Sequence, residues 1–207
     1  MEDLLYSFVV TDITSALVFV RRQTDALVYA SLGLNKKQLL KGARTAFNQL
    51  SKKSAIHYNF KQIEVESEQE HVEKFQDTVN KFTKLLEGHI VKDLHYEYMF
   101  GTSLQHRIWD ELVKIPHGKV TTYKEIADKL KIKNGSRAIG SGIGSNNIAI
   151  VIPCHRVVCS NGTLSGYKWS TSLKRKLLER EHVYASNKKD ALNKDTKISL
   201  MKYKYSA

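Results

Sequence analysis

Cysteine is scarce in this chain: Cys154 and Cys159 are the only two in 207 residues. They are too few and too close together for the disulfide framework of a secreted scaffold. No run approaches the roughly 18–20 consecutive apolar residues that a membrane helix needs. The first residues, MEDLLYSFVVTD, lack the charged-then-apolar layout of a secretory signal. A soluble intracellular protein with no membrane partner is therefore expected. Acidic residues are in deficit, 21 against 33 Lys and Arg, for a formal charge of +12. Such an excess is the electrostatic footprint of a polyanion binder, nucleic acid foremost, although the same charge can serve solubility alone. Repeats and low-complexity tracts are absent, and a hydrophobic content of 42% excludes a wholly disordered chain.

What is present reads as an α/β chain in three parts. Residues 1–95 are expected to form a structural α/β domain, a small sheet flanked by helices. LLYSFVVTD and ALVFVRRQTDALVYASLG carry β-rich apolar runs, and Gln23–Asp25 fits a hairpin turn. Leu39, Leu40, Ala43, Phe47 and Leu50 then recur at helical spacing, as do Val72, Phe75, Val79, Phe82 and Leu86. The charged stretch between these helices gives no clear element. IVKDLHYEYMFGT reads as an extended connection, with a domain boundary around 89–100. Residues 96–184 are expected to form a mostly helical second domain. Thr102 to Gln105 and Thr122 to Glu125 both have capping-box spacing. The helix opening at Thr122, the turn Asn134-Gly135 and the helix of SRAIGSGIGS form a helix-turn-helix pattern. Its small residues permit close approach of a partner helix or of a nucleic-acid backbone. A last amphipathic helix, about 172–182, carries Leu173, Leu177 and Leu178. Residues 185–207, with six lysines against two aspartates, read as a flexible basic tail.

The apolar run AIVIPCHRVV is broken by Pro153, Cys154, His155 and Arg156. A lone cysteine is most often a small buried hydrophobe. Here an imidazole and a guanidinium adjoin the thiol, neighbours that favour the nucleophilic thiolate. Cys154, His155 and Cys159 match no common zinc-ligand spacing, and no metal site is expected. In an extended segment adjacent side chains point to opposite sides, so His155 would reach the Cys154 proton through a bridging water. An imidazole in that role needs an acidic partner, and Glu179 and Glu181 are both candidates.

IPCHRVV, preceded by GSNN and followed by SGYKW, resembles the active-site region of the O6-alkylguanine-DNA alkyltransferases, the methylated-DNA–protein-cysteine methyltransferases. GTSLQHRIWDELVKIPHGKVTTYKEIA, SRAIGSGIGSNN and LLEREH resemble the family pattern in the same order, across about 100 to 182. MEDLLYSFVV and LVYASLG are similar to fungal members. The resemblance implies a stoichiometric DNA repair reaction. Cys154 attacks the alkyl carbon on guanine O6, keeps it as a thioether and acts once. It needs no cofactor, and a monomer on double-stranded DNA carrying O6-alkylguanine, in the nucleus, is expected.

The resemblance further implies a role for each site residue. His155 acts as base through water, Glu181 is its acidic partner, and Asn146 braces the turn between the recognition helix and the strand leading to Cys154. Arg137 replaces the nucleotide that must be rotated out of the duplex. The helix bearing Ser136, Ala138, Gly140 and Ser141, with Ser145 after it, enters the minor groove. Tyr123 helps rotate the nucleotide and donates to guanine N3. The carbonyls of Cys154 and Val157 accept from the guanine amine, and Tyr167 and the Lys168 N–H close the pocket at O6. Lys168 is similar to the basic residue of bacterial members. The N-terminal zinc site of some members has no cysteine here. Two other functions compete from the residues alone. One is a non-catalytic helix-turn-helix protein that binds damaged DNA. The other is a cysteine hydrolase, which would need an oxyanion hole for which the chain shows no separate signal.

Overall fold

The computed structural model describes residues 1–63, 70–164, 166–184 and 197–205. The chain divides into two compact units, Met1–Phe100 with Asn147–Ala149, and Gly101–Asn146 with Ile150–Ala207. In chain order the main division falls after Phe100.

The first unit is built on a four-stranded sheet of order β3-β2-β1-β4. Strands β1 (Glu2–Val10) and β2 (Ser15–Arg21) run antiparallel with Tyr6 opposite Phe19, their rings stacked at 5.1 Å. Strand β3 (Leu27–Gly33) returns antiparallel to β2 through the turn expected at Gln23–Asp25. The Arg21 N–H donates to the Ala26 carbonyl at 2.9 Å, and Asp25 takes the left-handed conformation such a turn tolerates in Asp. Helix α1 (Lys36–Ser54) is capped by Asn35 and lays Leu39, Ala43 and Phe47 against Leu4, Tyr6, Leu17 and Phe19. Phe47 is fully buried among the rings of Phe19, Tyr29, Tyr58, Phe60 and Phe100. Truncating such a side chain to Ala costs about 3–5 kcal/mol. Helix α2 (Glu70–Leu86) buries Val72, Phe75, Phe82 and Leu86, with Val79 only half-buried, and packs on β1 and β2.

One strand was not legible. β4 (Tyr58–Gln62) lies in the charged stretch and pairs parallel to β1 at the sheet edge. Only Tyr58 and Phe60 of its five residues turn toward the core, too short an alternation to stand out. At the opposite edge β3 is covered by two extended pieces. Leu27 exchanges backbone hydrogen bonds with His95 and Glu97, and Ala30 with Asn147 and Ala149. Covered edges do not recruit foreign strands.

The second unit is mostly helical. It comprises α3 (Ser103–Val113), α4 (Tyr123–Lys129), α5 (Ser136–Gly144), α6 (Thr171–Arg180) and α7 (Leu200–Tyr203), with two-residue parallel strands β5 (Thr121–Thr122) and β6 (Val157–Val158). Both expected capping boxes form. Thr102 pairs reciprocally with Gln105, and Thr122 with Glu125. Ile108, Trp109 and Leu112 are buried, whereas Leu104 stays at the surface. Helices α3 and α4 both pack on α5. The close approach of α3 depends on Gly142, where a methyl would come within 2.5 Å of Ile108 Cδ1, and Trp109 Nε1 donates to the Gly142 carbonyl at 2.9 Å.

Residues 197–205 correct the expectation of a flexible basic tail. Ile198 and Tyr203 are buried with Val120, Val158, Leu164, Leu178 and Val183. Lysines at every few positions mask this short apolar pattern in the sequence. Residues 185–196 and 206–207 lie outside the described residues. Among the described residues no helix is long and apolar enough to cross a membrane.

Candidate active site

Cys154 opens a 3-10 turn, Cys154–Arg156, immediately after Pro153. The strand expected to lead into it is not formed. Ile150 sits at φ +71°, a conformation a β-branched residue adopts only under strain, and this breaks the extended run. Asn146, fully buried just beyond α5, braces the segment. Its Nδ2 donates to the Ile152 carbonyl at 3.0 Å and to Cys154 Sγ at 3.2 Å. One amide thus ties the end of α5 to the thiol.

Behind the thiol, His155 and Glu181 are both buried, with His155 Nε2 2.8 Å from Glu181 Oε1. This resolves the choice between the two glutamates, since Glu179 lies on another side of α6 and pairs with Arg175. Arg156 spans both Glu181 oxygens at 2.8 Å through Nε and Nη2, and its Nη1 donates to the Ile115 carbonyl at 2.6 Å. Burial opposes the Glu181 charge, but hydrogen bonds from His155 and Arg156 hold its carboxyl far below the usual range. Burial pulls the His155 pKa down despite Glu181. Both shifts favour a carboxylate facing a neutral imidazole. A neutral imidazole that donates from Nε2 leaves Nδ1 as an acceptor, and that atom is buried with no partner among the described residues.

The electrostatics at sulfur differ from the sequence expectation. Burial pushes the Cys154 thiol up, and the groups that counter it are the Asn146 hydrogen bond and the ammonium groups of Lys174 and Lys168. His155 and Arg156 were expected to favour the thiolate. Instead burial disfavours the imidazolium, and Arg156 is spent on Glu181. Lys174 is a residue beside the site that the sequence did not single out. It is fully buried on α6, with its Nζ donating to the Val157 carbonyl. Burial lowers its pKa to about 8, with Cys154 and Cys159 both pulling the other way. The signal was available: Lys174, Leu178 and Glu181 fall on one helical stripe, and a lysine on an apolar stripe is a buried charge.

Cys154 lies on a cleft of about 700 Å³ that gathers Tyr123 from α4, Ser136, Arg137 and Gly140 from α5, and Tyr167 and Lys168 from the loop before α6. Cys159 and Ser160 also line it, and neither was singled out as a pocket residue. Arg137 is exposed at the first turn of α5. Gly140 faces Tyr123, where a methyl would stand 4.0 Å from the ring, so the α5 glycines divide between the cleft and the α3 contact. Ala138 and Ser141 are exposed elsewhere on α5, and the half-buried Ser145 donates its hydroxyl to the Ser141 carbonyl at 3.0 Å. The Cys154 carbonyl accepts from the Val157 N–H, and the Val157 carbonyl from Lys174, so each has one lone pair remaining. The Tyr167 hydroxyl is buried, and desolvation, with Cys154 and Glu181 adding to it, raises it well above the usual phenol range. Lys168 reaches past the pocket to donate to the Asn146 carbonyl at 2.7 Å. Among the described residues no group of His, Cys, Asp and Glu is arranged to hold a metal ion.

The family model described as 6-O-methylguanine DNA methyltransferase, DNA binding domain, matches residues 103–183. A methylated-DNA–protein-cysteine methyltransferase of Saccharomyces cerevisiae is 38% identical over 185 residues, covering 87% of this chain and 95% of that one. The protein of that name from Candida albicans is 39% identical, covering 88% and 99%. The crystal structure of Mycobacterium tuberculosis OGT in complex with DNA aligns with a TM-score of 0.62 at 26% identity, over 86% of this chain and 92% of that one. The ordered motifs around Cys154, the cleft they build and this near full-length similarity agree, and the chain belongs to the methylated-DNA–protein-cysteine methyltransferase family.

Proposed function

We propose that this protein repairs O6-alkylguanine in double-stranded DNA by moving the alkyl group irreversibly to Cys154. The observation that carries the proposal is a braced thiol on a cleft shared with a tyrosine and an exposed arginine, backed by a neutral imidazole whose outer nitrogen is held by a carboxylate. A base inside a duplex cannot present O6 to a buried sulfur, so the nucleotide is rotated into the cleft. Arg137 occupies the space it leaves, and α5 lies in the minor groove with Ser136, Ala138, Gly140, Ser141 and Ser145 along its contact. The charge supports this assignment. Residues 1–100 hold 13 basic and 13 acidic side chains, so the whole excess of twelve falls after Phe100.

In the reaction, His155 Nδ1 takes the Cys154 proton through a water, and Glu181 stabilises the imidazolium so formed. The thiolate attacks the alkyl carbon, the S–C bond forms as the C–O bond breaks, and the electron pair leaves on guanine O6. A hydrogen bond from Tyr123 to N3 disperses that charge, and the proton returns to the base as it leaves. The remaining lone pairs on the Cys154 and Val157 carbonyls accept from the guanine amine, and Tyr167 and the Lys168 N–H close the pocket beside O6. A thioether is not hydrolysed under cellular conditions, so each molecule acts once, as a monomer and without a cofactor. The nucleus is the proposed compartment.

Intact-mass measurement after mixing with a duplex carrying one O6-methylguanine tests this directly. The expected result is a gain of one methylene equivalent, mapped to the Cys154 peptide, saturating at one per molecule and abolished by Cys154→Ser. An unchanged mass with the duplex bound and still methylated would leave only a damage-binding protein.

A further inference from the structure

The C-terminal segment 197–205 lies beyond the residues matched by the family model, yet it is fastened to two stretches of chain whose neighbouring residues form walls of the cleft. At one end Ile198 donates its N–H to the Gly162 carbonyl at 2.8 Å. Gly162, at φ +82°, has no room for a side chain against the Ile198 backbone, so the two backbones meet directly. The same loop carries Cys159 and Ser160 into the cleft wall. At the other end the segment runs beside Val120, which donates to the Tyr203 carbonyl at 2.8 Å and accepts from the Tyr205 N–H at 2.7 Å. Lys129 Nζ stands 4.6 Å from the Tyr205 ring centroid, which adds a tie to α4.

Between these ties lies Glu125, the residue that closes the α4 capping box. Its Oε2 accepts from the Thr122 N–H at 2.9 Å and from the hydroxyls of Thr121 and Thr122. Its Oε1 is taken by Lys204 Nζ at 2.7 Å. The carboxylate that shapes the first turn of α4 is therefore held on its second oxygen from outside the helix, and Tyr123 is the first residue of that turn. The Lys204–Glu125 pair is partly exposed, and exposed pairs add little to stability. Its consequence is geometric, because it restrains the carboxylate that sets where Tyr123 begins.

We propose that the C-terminal segment positions the cleft for alkyl transfer, with Lys204 acting through Glu125 to hold Tyr123. The inference rests on the repair function proposed above. Lys204 is a positioning residue that touches no substrate. The test uses full-length protein and single-turnover methyl transfer from an O6-methylguanine duplex at saturating DNA. Lys204→Ala is expected to slow the maximal rate about tenfold, as small misplacements of positioning groups do, while the thermal midpoint stays near that of the parent. Lys204→Arg restores most of the rate. In a Tyr123→Phe background Lys204→Ala costs nothing further, because the two act through one group. A Lys204→Ala rate equal to the parent's overturns the inference, as does a full additional loss in the Tyr123→Phe background. If the parent itself transfers no methyl group, the repair function fails first, and the two failures are told apart by that control.

Discussion

At Cys154 the protein keeps its nucleophile protonated until a base is engaged, and the charge that limits this cost comes from a residue outside the PCHR motif. Lys174 donates to the Val157 carbonyl and acts on the thiol through space, so replacing it should leave the sulfur harder to ionise. Lys174→Met is expected to react with iodoacetamide at Cys154 about tenfold more slowly at pH 8, with its pH profile moved upward. Peptide mapping separates this from Cys159, and an unmoved profile would remove Lys174 from the site. Glu181 makes a second prediction. Its folded pKa lies far below the unfolded value of about 4.3, so the stability it contributes is complete above that pH and is lost as pH falls below it. Urea unfolding from about pH 6 to about pH 2.5 should show this decline in the parent and a shallower one in Glu181→Gln. At neutral pH that variant should be destabilised by about 3–5 kcal/mol, because Arg156 is left in a partly buried site without its carboxylate.

Helix α5 shows how one run of small residues serves two neighbours. Gly142 admits α3, whereas Gly140 and Gly144 face space, the first toward Tyr123. Gly142→Ala should destabilise the fold by about 1–3 kcal/mol through overpacking against Ile108, and Ile108→Val in the same chain should recover part of it. Gly140→Ala should leave stability unchanged or raise it by up to about 1 kcal/mol through helix propensity, while weakening DNA binding. Thermal melts with a DNA-binding titration distinguish the two positions, and equal effects of the two substitutions on stability would contradict the division. SRAIGSGIGS by itself shows only that something approaches closely. Which glycine meets a helix depends on the rotation of α5 about its own axis, set by Ile108 and Trp109 on a helix well upstream in the chain.

For the molecule as a whole, the charge that composition reports as one excess is segregated. The first hundred residues are balanced and the remainder carries all of it. DNA affinity should therefore fall with added salt, since phosphate contacts release counterions. Neutralising Arg137 and Lys124, the α4 residue after Tyr123 that also lines the cleft, should reduce the slope of log affinity against log salt by about 0.9 for each phosphate that is no longer neutralised. Neutralising Lys36 and Lys37 on α1 should leave the slope as it was. A slope insensitive to the cleft residues would place the DNA on another face.

The strands β1 to β3, their hairpin, both capping boxes, the helix faces and the reactive string around Cys154 follow from local pattern. Period-two and helical alternation, turn chemistry and the spacing of a hydroxyl from an amide or carboxylate act over a few residues, and they are written in the sequence at that range. Four features needed the tertiary structure. β4 became a strand only because β1 offered it an edge, and Ile198 and Tyr203 became core only because Val120 and Leu178 were there to cover them. Glu181 was chosen over Glu179 by which side of α6 meets His155. The proton affinity of Cys154 was decided by burial and by Lys174, on a separate helix. Desolvation and charge act through space, so residue type and order alone determined that Cys154 had reactive company, and folding determined which neighbours set its charge.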